Sequence, residues 1–146
     1  MIPPPLLFFG ALGLGIALGF LKPLPLLAHA AVVRLVGAGL IAAGLCLSAW
    51  MSIHFRRSQT PISPLRPTRR LVVSGPYRFS RNPDYVGQVM VYLGIGLALN
   101  SAWPLIALIP TLVILRYAVI AKEERYLHRL LGAEYDEYCR RVRRWL

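Results

Sequence analysis

Long stretches without charge alternate with short, strongly basic ones. Residues 2–21, 35–53 and 85–115 contain no Asp, Glu, Lys or Arg. Uninterrupted apolar runs of this length predict membrane-spanning helices. The first covers Leu6–Phe20, extendable to about Leu27 despite Lys22, Pro23 and Pro25. Gly15 and Gly19 form a small-xxx-small pair of the kind that lets another helix approach closely. Glycine is common in membrane helices in any case, and that plainer reading is the one adopted for Gly10, Gly13, Gly15 and Gly19. No basic residue precedes this run and further apolar runs follow it, so a retained first span is expected rather than a cleaved leader. The second span runs from Ala30 or Arg34 to His54. Its 19 uncharged residues, Leu35–Ile53, cover about 28 Å, close to a hydrocarbon core.

The 31 residues of the third block exceed one comfortable span, and Asn100-Ser101 sits at their midpoint. Ser101 is expected to cap a new helix with Pro104 in its first turn. The block therefore predicts a helical hairpin, about 84–99 and 102–120, with an unbroken tilted helix as the alternative. Each uncharged arm covers only about 22 Å, so one end borrows from its charged flank, where Arg116 can snorkel. Between the second and third blocks, residues 55–83 hold seven arginines (56, 57, 66, 69, 70, 78 and 81) and no acid. This predicts a membrane-edge loop, with a short extended piece at Leu71–Val73 before the Gly75-Pro76 turn. Residues 121–146 read as two surface helices broken at Gly132. Tyr126, Leu127, Leu130 and Leu131 line one side of the first; Tyr135, Tyr138 and Val142 line the second.

The predicted fold is thus all-α: a polytopic membrane protein with four transmembrane helices and C-terminal interfacial helices. Its parts are a two-span region (1–54), a basic cytosolic loop (55–84), a transmembrane hairpin (85–120) and a C-terminal surface segment (121–146).

Composition agrees. Hydrophobic residues make up 56% and charged residues 16%, against roughly a quarter charged in a soluble domain. A water-soluble enzyme, a disordered chain and a disulfide scaffold are therefore poor fits. Seventeen Lys and Arg against six Asp and Glu leave +11. Because the basic residues flank apolar blocks, the charge fits an anionic leaflet of membrane lipid rather than nucleic acid. The loop and the tail after Arg116 each hold seven basic residues, whereas the 22–34 connection holds two and the hairpin turn none. With an even number of spans, this puts both termini on the cytoplasmic side, in an inner or cell membrane. Cys46 lies in an apolar block and Cys139 in the basic tail, so no structural disulfide is expected. Trp50 and Trp145 read as interface anchors. The N-terminal glycines are free to face either a second copy, in a homo-oligomer, or the chain's own hairpin.

The polar segments 74–85 and 116–138 flank the hairpin and so meet at one membrane edge. They bring cations, carboxylates and phenols beside an apolar bundle, which suits an amphipathic or zwitterionic ligand. His29, His54 and His128 are too scattered for a metal set, so no metal is expected. No Gly-rich phosphate loop or serine–histidine pair is visible. The spans hold almost no ionisable group that would mark a transport pathway.

Gly75-Pro76-Tyr77-Arg78 leads into Arg81-Asn82-Pro83-Asp84-Tyr85-Val86-Gly87. The hairpin follows, then Glu123-Glu124-Arg125-Tyr126-Leu127 and Leu131-Gly132-Ala133-Glu134-Tyr135-Asp136-Glu137-Tyr138. In order and spacing, over about residues 66–146, this resembles the isoprenylcysteine carboxyl methyltransferase family and its phospholipid N-methyltransferase relatives. The resemblance implies a membrane methyltransferase using S-adenosyl-L-methionine at the cytosolic edge. It implies a cofactor pocket from Arg81, Asn82, Pro83, Tyr85 and Gly87 with Glu123 and Glu124, and Tyr77, Tyr135 and Tyr138 as lower-ranked lining. The acceptor it implies is lipid-like, first a carboxylate of an isoprenylcysteine type, with a phospholipid amine as the alternative. A carboxylate nucleophile is already ionised and needs a cation to hold it, and Arg78, Arg81 or Arg116 would serve through paired donors. A non-catalytic scaffold that kept the fold is the reading from another class. The family motif often has histidine where this chain has Asn82, which keeps a donor and an acceptor but cannot titrate. Plainer readings stand beside these: Glu123-Glu124 as an ion-paired surface, Arg78 and Arg81 as lipid-phosphate anchors, Tyr77 and Tyr85 as interfacial belt residues.

Overall fold

A computed structural model describes residues 3–27, 30–57, 71 and 73–145, without the side chains of 55–57. Six α-helices make up the described chain: α1 (Pro4–Leu21), α2 (Ala30–Arg57), α3 (Pro83–Ala98), α4 (Ala102–Ile114), α5 (Ala121–Leu131) and α6 (Ala133–Arg141). A 3-10 turn at Gly75–Arg78 precedes α3, and a π-helical stretch, Leu115–Ile120, joins α4 to α5. Among the described residues the only β pairing is an isolated antiparallel bridge between Pro25 and Ser101.

Prolines decide several boundaries. Pro4 and Pro83 stand in the first turns of α1 and α3, where a missing N–H costs nothing. The first helix stops at Leu21 rather than reaching Leu27. Pro23 and Pro25 cannot donate to the helical ladder, and Lys22 is already extended. The hairpin forms as expected, turning through Asn100, whose φ of 50° is the left-handed conformation asparagine tolerates. Ser101 occupies the N-cap position of α4 but makes no side-chain cap bond, and its buried hydroxyl has no partner among the described residues.

Glycines set the packing. A Cβ on Gly37 would lie 2.6 Å from the Gly94 carbonyl oxygen, and one on Gly44 would lie 2.8 Å from that of Gly87. Rising numbers on α2 thus meet falling numbers on α3, so the two helices run antiparallel with their backbones nearly touching. On α1, Gly15 faces the Pro104 backbone and Gly19 faces the Ser101 hydroxyl. Gly15 and Gly19 are therefore contact residues with the chain's own hairpin. Only Gly10 and Gly13, with nothing within 4 Å, fit the plainer reading. The resulting four long helices alternate in direction around a core of Phe8, Tyr85, Tyr92, Leu108, Leu115 and Ile120. Trp145 packs against that core, so it is not simply an interface anchor.

Among the described residues, three helical stretches are long and apolar enough to cross a membrane: Pro4–Leu21, Ala30–His54 and Ala102–Leu131. The third helix is continuous through the π stretch; its apolar part is residues 102–120, the expected arm, and its charged last turns, from Lys122 on, lie beyond that part. At 16 residues, α3 reaches about 24 Å, short of a hydrocarbon core of about 30 Å.

Two ends of the bundle differ. At one, the Asn100 side chain bonds both the amide and the carbonyl of Leu27, and Trp103 Nε1–H donates to the Lys22 carbonyl. At the other, His54 meets Ser74 across 2.9 Å, and the starts of α3 and α5 converge with α6 and the C-terminal tail. Gly132, at φ 53°, breaks α5 from α6. Leu127 and Leu131 then pack on Tyr135, Tyr138 and Val142, while Tyr126 and Leu130 stay exposed rather than lining that side. Leu71 and Val73 carry no strand, and Val72 lies outside the described residues, as do Arg66, Arg69 and Arg70.

Candidate functional site

Pro83 starts α3 immediately after the Ser80–Asn82 turn, which brings Tyr85 to the inner face of the first helical turn. Its hydroxyl donates to the Glu123 carboxylate, 3.1 and 3.2 Å from the two oxygens. Asp84 lies alongside, accepting from Gln88 at 2.7 Å. Burial, and after it the charge of Asp84 and that of Glu123, opposes ionisation of Tyr77 in the 3-10 turn. Tyr77, Asp84, Tyr85 and Glu123 thus form an acidic, phenolic corner. Burial raises the Glu123 pKa above the usual carboxylate range; the Tyr85 bond opposes this, and the charges of Asp84 and Glu124 reinforce it. Glu123 is nonetheless exposed at the surface.

The neighbouring Glu124 has a different environment. Arg144 grips it with a two-bond fork, Nε to Oε1 and Nη2 to Oε2, each 2.8 Å. Arg81 adds a third contact, Nη1 to Oε1 at 3.3 Å, in a pair whose side chains are only 15% and 19% exposed. Arg81 Nη1 also lies 2.8 Å from Cys139 Sγ, while its buried Nε–H has no partner among the described residues. The C-terminal tail closes over this basic corner. The Arg81 amide donates to the Arg143 carbonyl (2.9 Å), and Asn82 Nδ2–H donates to that of Arg144 (3.0 Å). Ser80 Oγ lies 3.4 Å from the same Arg144 oxygen. Asn82 therefore acts as a tail anchor through its donor, a role that needs no titratable ring.

Tyr135 and Tyr138 are buried beneath, with rings 6.3 Å apart. The Tyr138 hydroxyl donates to the Tyr77 carbonyl at 2.8 Å, and burial pushes its pKa up to about 12, so it stays a neutral donor. Pro83 and Gly87 are buried on α3; Gly87 faces α2, where a Cβ would lie 3.0 Å from Ser48 Oγ. Gly87 therefore belongs to the helix contact more than to a ligand surface.

The structure gathers Tyr77, Arg81, Asn82, Tyr85, Glu123, Glu124, Tyr135 and Tyr138 at one end of the bundle. It does not bring Arg116 or Arg78 to Glu123. Arg116 is exposed on the π stretch and stacks 5.5 Å from the Tyr117 ring. Arg78 lines a separate open groove of about 570 Å³ with Leu71, Val73, Tyr138 and Arg141. Sequence reasoning missed Ser80, Cys139 and Arg144 as members of the cluster. The run Arg140-Arg141-Val142-Arg143-Arg144 marks a basic tail but not which arginine turns inward. Among the described residues no cluster of His, Cys, Asp and Glu is suited to a metal.

The sequence profile of the phospholipid methyltransferase family matches residues 32–134, over two-thirds of the chain. The match takes in the acidic corner, Arg81 and Glu124, and stops before Tyr135, Tyr138 and the tail. Neither the curated proteins nor the solved structures gave a match. The match falls on the relatives that the sequence motifs put second to the isoprenylcysteine enzymes, within the same group of integral membrane methyltransferases. An all-helical chain with several membrane-length apolar helices is consistent with it, and this protein belongs to the phospholipid methyltransferase family.

Proposed function

We propose that the protein transfers a methyl group from S-adenosyl-L-methionine to the amine of a phospholipid headgroup at the cytosolic edge of the membrane. The observation that carries this reading is the contrast between the two adjacent glutamates. Glu124 is held by two arginines, whereas among the described residues Glu123 bonds only a phenol and remains exposed. An open carboxylate beside Asp84 suits a cation, and the cofactor carries both an ammonium and a sulfonium. The buried Arg81 Nε–H, without a partner among the described residues, is a donor that a carboxylate would satisfy. The residues present therefore fit the cofactor: Glu123 and Tyr85 toward its ammonium, Arg81 toward its carboxylate. When bound, it supplies a methyl carbon made electrophilic by the positive sulfur.

The same contrast bears on the acceptor. A carboxylate nucleophile needs an uncommitted cation near the reacting methyl, and Arg81 and Arg144 are both engaged by Glu124. An ammonium headgroup is drawn to the acidic corner instead. Its nitrogen gives up a proton to a carboxylate there or to water and forms the new N–C bond. The electron pair of the breaking C–S bond leaves with sulfur as a neutral thioether. The apolar helices keep water from that geometry. We further read α3 as the fourth span, shortened at a thinned or protein-covered edge, with both termini cytoplasmic, on the strength of the arginine distribution.

Nanodiscs with and without phosphatidylethanolamine, given methyl-labelled cofactor, test the reading. Base-stable label on the headgroup nitrogen is expected. A base-labile ester formed only on an isoprenylcysteine would instead support the carboxylate acceptor. No transfer to either, with no cofactor binding by folded protein, would refute the enzyme reading and favour a scaffold.

A further inference from the structure

We propose that Arg144 is the positioning residue of the cofactor site: its fork on Glu124 fixes the first turn of α5, so that Glu123 alone faces the ligand. This rests on the cofactor reading above. The geometry starts where α6 ends. Val142 is extended (φ −120°, ψ 130°), which turns the chain back across the Ser80–Asn82 turn. Two main-chain carbonyls then bind that turn, Arg143 to the Arg81 amide and Arg144 to the Asn82 side chain. Trp145, one residue on, packs against the core cluster. Held on both sides, the Arg144 guanidinium has little choice of partner, and it meets Glu124 in the planar two-bond arrangement that only arginine provides.

Three consequences follow for the site. Both Glu124 oxygens are occupied, so this carboxylate does not compete with Glu123 for a cation. The first turn of α5 is fixed from outside, while Tyr85 fixes Glu123 from inside. Arg81 is tied to the same assembly, its amide to the tail's Arg143 carbonyl and its guanidinium to the carboxylate that Arg144 grips. The tail lies beyond residue 134, where the family match stops, so Arg144 adds to what membership accounts for.

The test is a double-mutant cycle on the full chain in nanodiscs, reading both cofactor affinity by calorimetry and turnover. Arg144→Ala should weaken S-adenosyl-L-methionine binding by about tenfold or more through loss of a charge-assisted fork, raising KM far more than it lowers kcat. Arg144→Lys keeps the charge but not the fork, and should restore part of the affinity; it also serves if the alanine variant does not fold. Adding Glu124→Gln to Arg144→Ala should cost less than the sum of the two single losses, because the two share the fork; what remains is the contact that Glu124 also makes with Arg81. Additive losses, or parent-like affinity in both Arg144 variants, would overturn the proposal while leaving the cofactor reading intact. Failure of the folded parent to bind would overturn both.

Discussion

Tyr85 and Glu123 stand 38 positions apart in the chain, yet the Tyr85 hydroxyl lies 3.1 and 3.2 Å from the two Glu123 oxygens. This bond ties the start of α3 to the start of α5 across the whole hairpin. It also lowers the pKa that burial raises. Removing the hydroxyl in Tyr85→Phe therefore has two effects. A hydrogen bond to a charged group is worth about 1.5–3 kcal/mol, and its loss loosens Glu123. The Glu123 pKa also rises further.

The sign of the pH dependence follows. Only the ionised carboxylate holds a cation, so cofactor affinity is full above the Glu123 pKa and falls as pH drops through it. Because that pKa is raised, the loss begins at a higher pH than for an ordinary glutamate. Calorimetric titrations from pH 8 down to about pH 5 should show this fall, and in Tyr85→Phe the curve should move to higher pH. A curve unchanged by the substitution would separate the bond from the binding event.

The two glutamates should fail differently. Glu123→Gln is expected to lower cofactor affinity while leaving thermal unfolding near that of the parent. Glu124→Gln removes the charged partner of both Arg81 and Arg144, loosening the tail and costing about 1.5–3 kcal/mol in stability. Melting in detergent alongside cofactor titration distinguishes the two patterns.

Glycine substitutions separate contact from composition. A Cβ at Gly94 would lie 2.6 Å from the Gly37 carbonyl oxygen and 2.8 Å from the Ile41 nitrogen. Both are backbone atoms that cannot swing aside, so Gly94→Ala should destabilise by about 1–3 kcal/mol. Gly13 has nothing within 4 Å, and Gly13→Ala should be neutral or stabilising by up to about 1 kcal/mol. Melting temperatures of the two variants in one detergent check the contrast.

What was legible in the sequence was what depends on runs and boundaries. The helical hairpin follows from a block too long for one span, broken at Asn100-Ser101, and the α5–α6 break from Gly132. The meeting of Arg81, Asn82, Tyr85 and the glutamates was readable only through the order of motifs. What stayed hidden depends on pairing between distant positions. Gly37 with Gly94 and Gly44 with Gly87 carry no periodic signal different from glycine in any membrane helix. Glu123 and Glu124 are adjacent and chemically alike, and only the return of Arg144 separates them. The first helix stops six residues short of Leu27 because two prolines outweigh an apolar run.

The most direct test of the account is the titration of S-adenosyl-L-methionine into the parent protein and Glu123→Gln, both in nanodiscs at neutral pH. Saturable binding by the parent, weakened at least tenfold by loss of the Glu123 charge, is the predicted result. No binding by a well-folded parent up to millimolar cofactor, or equal binding by Glu123→Gln, would contradict it.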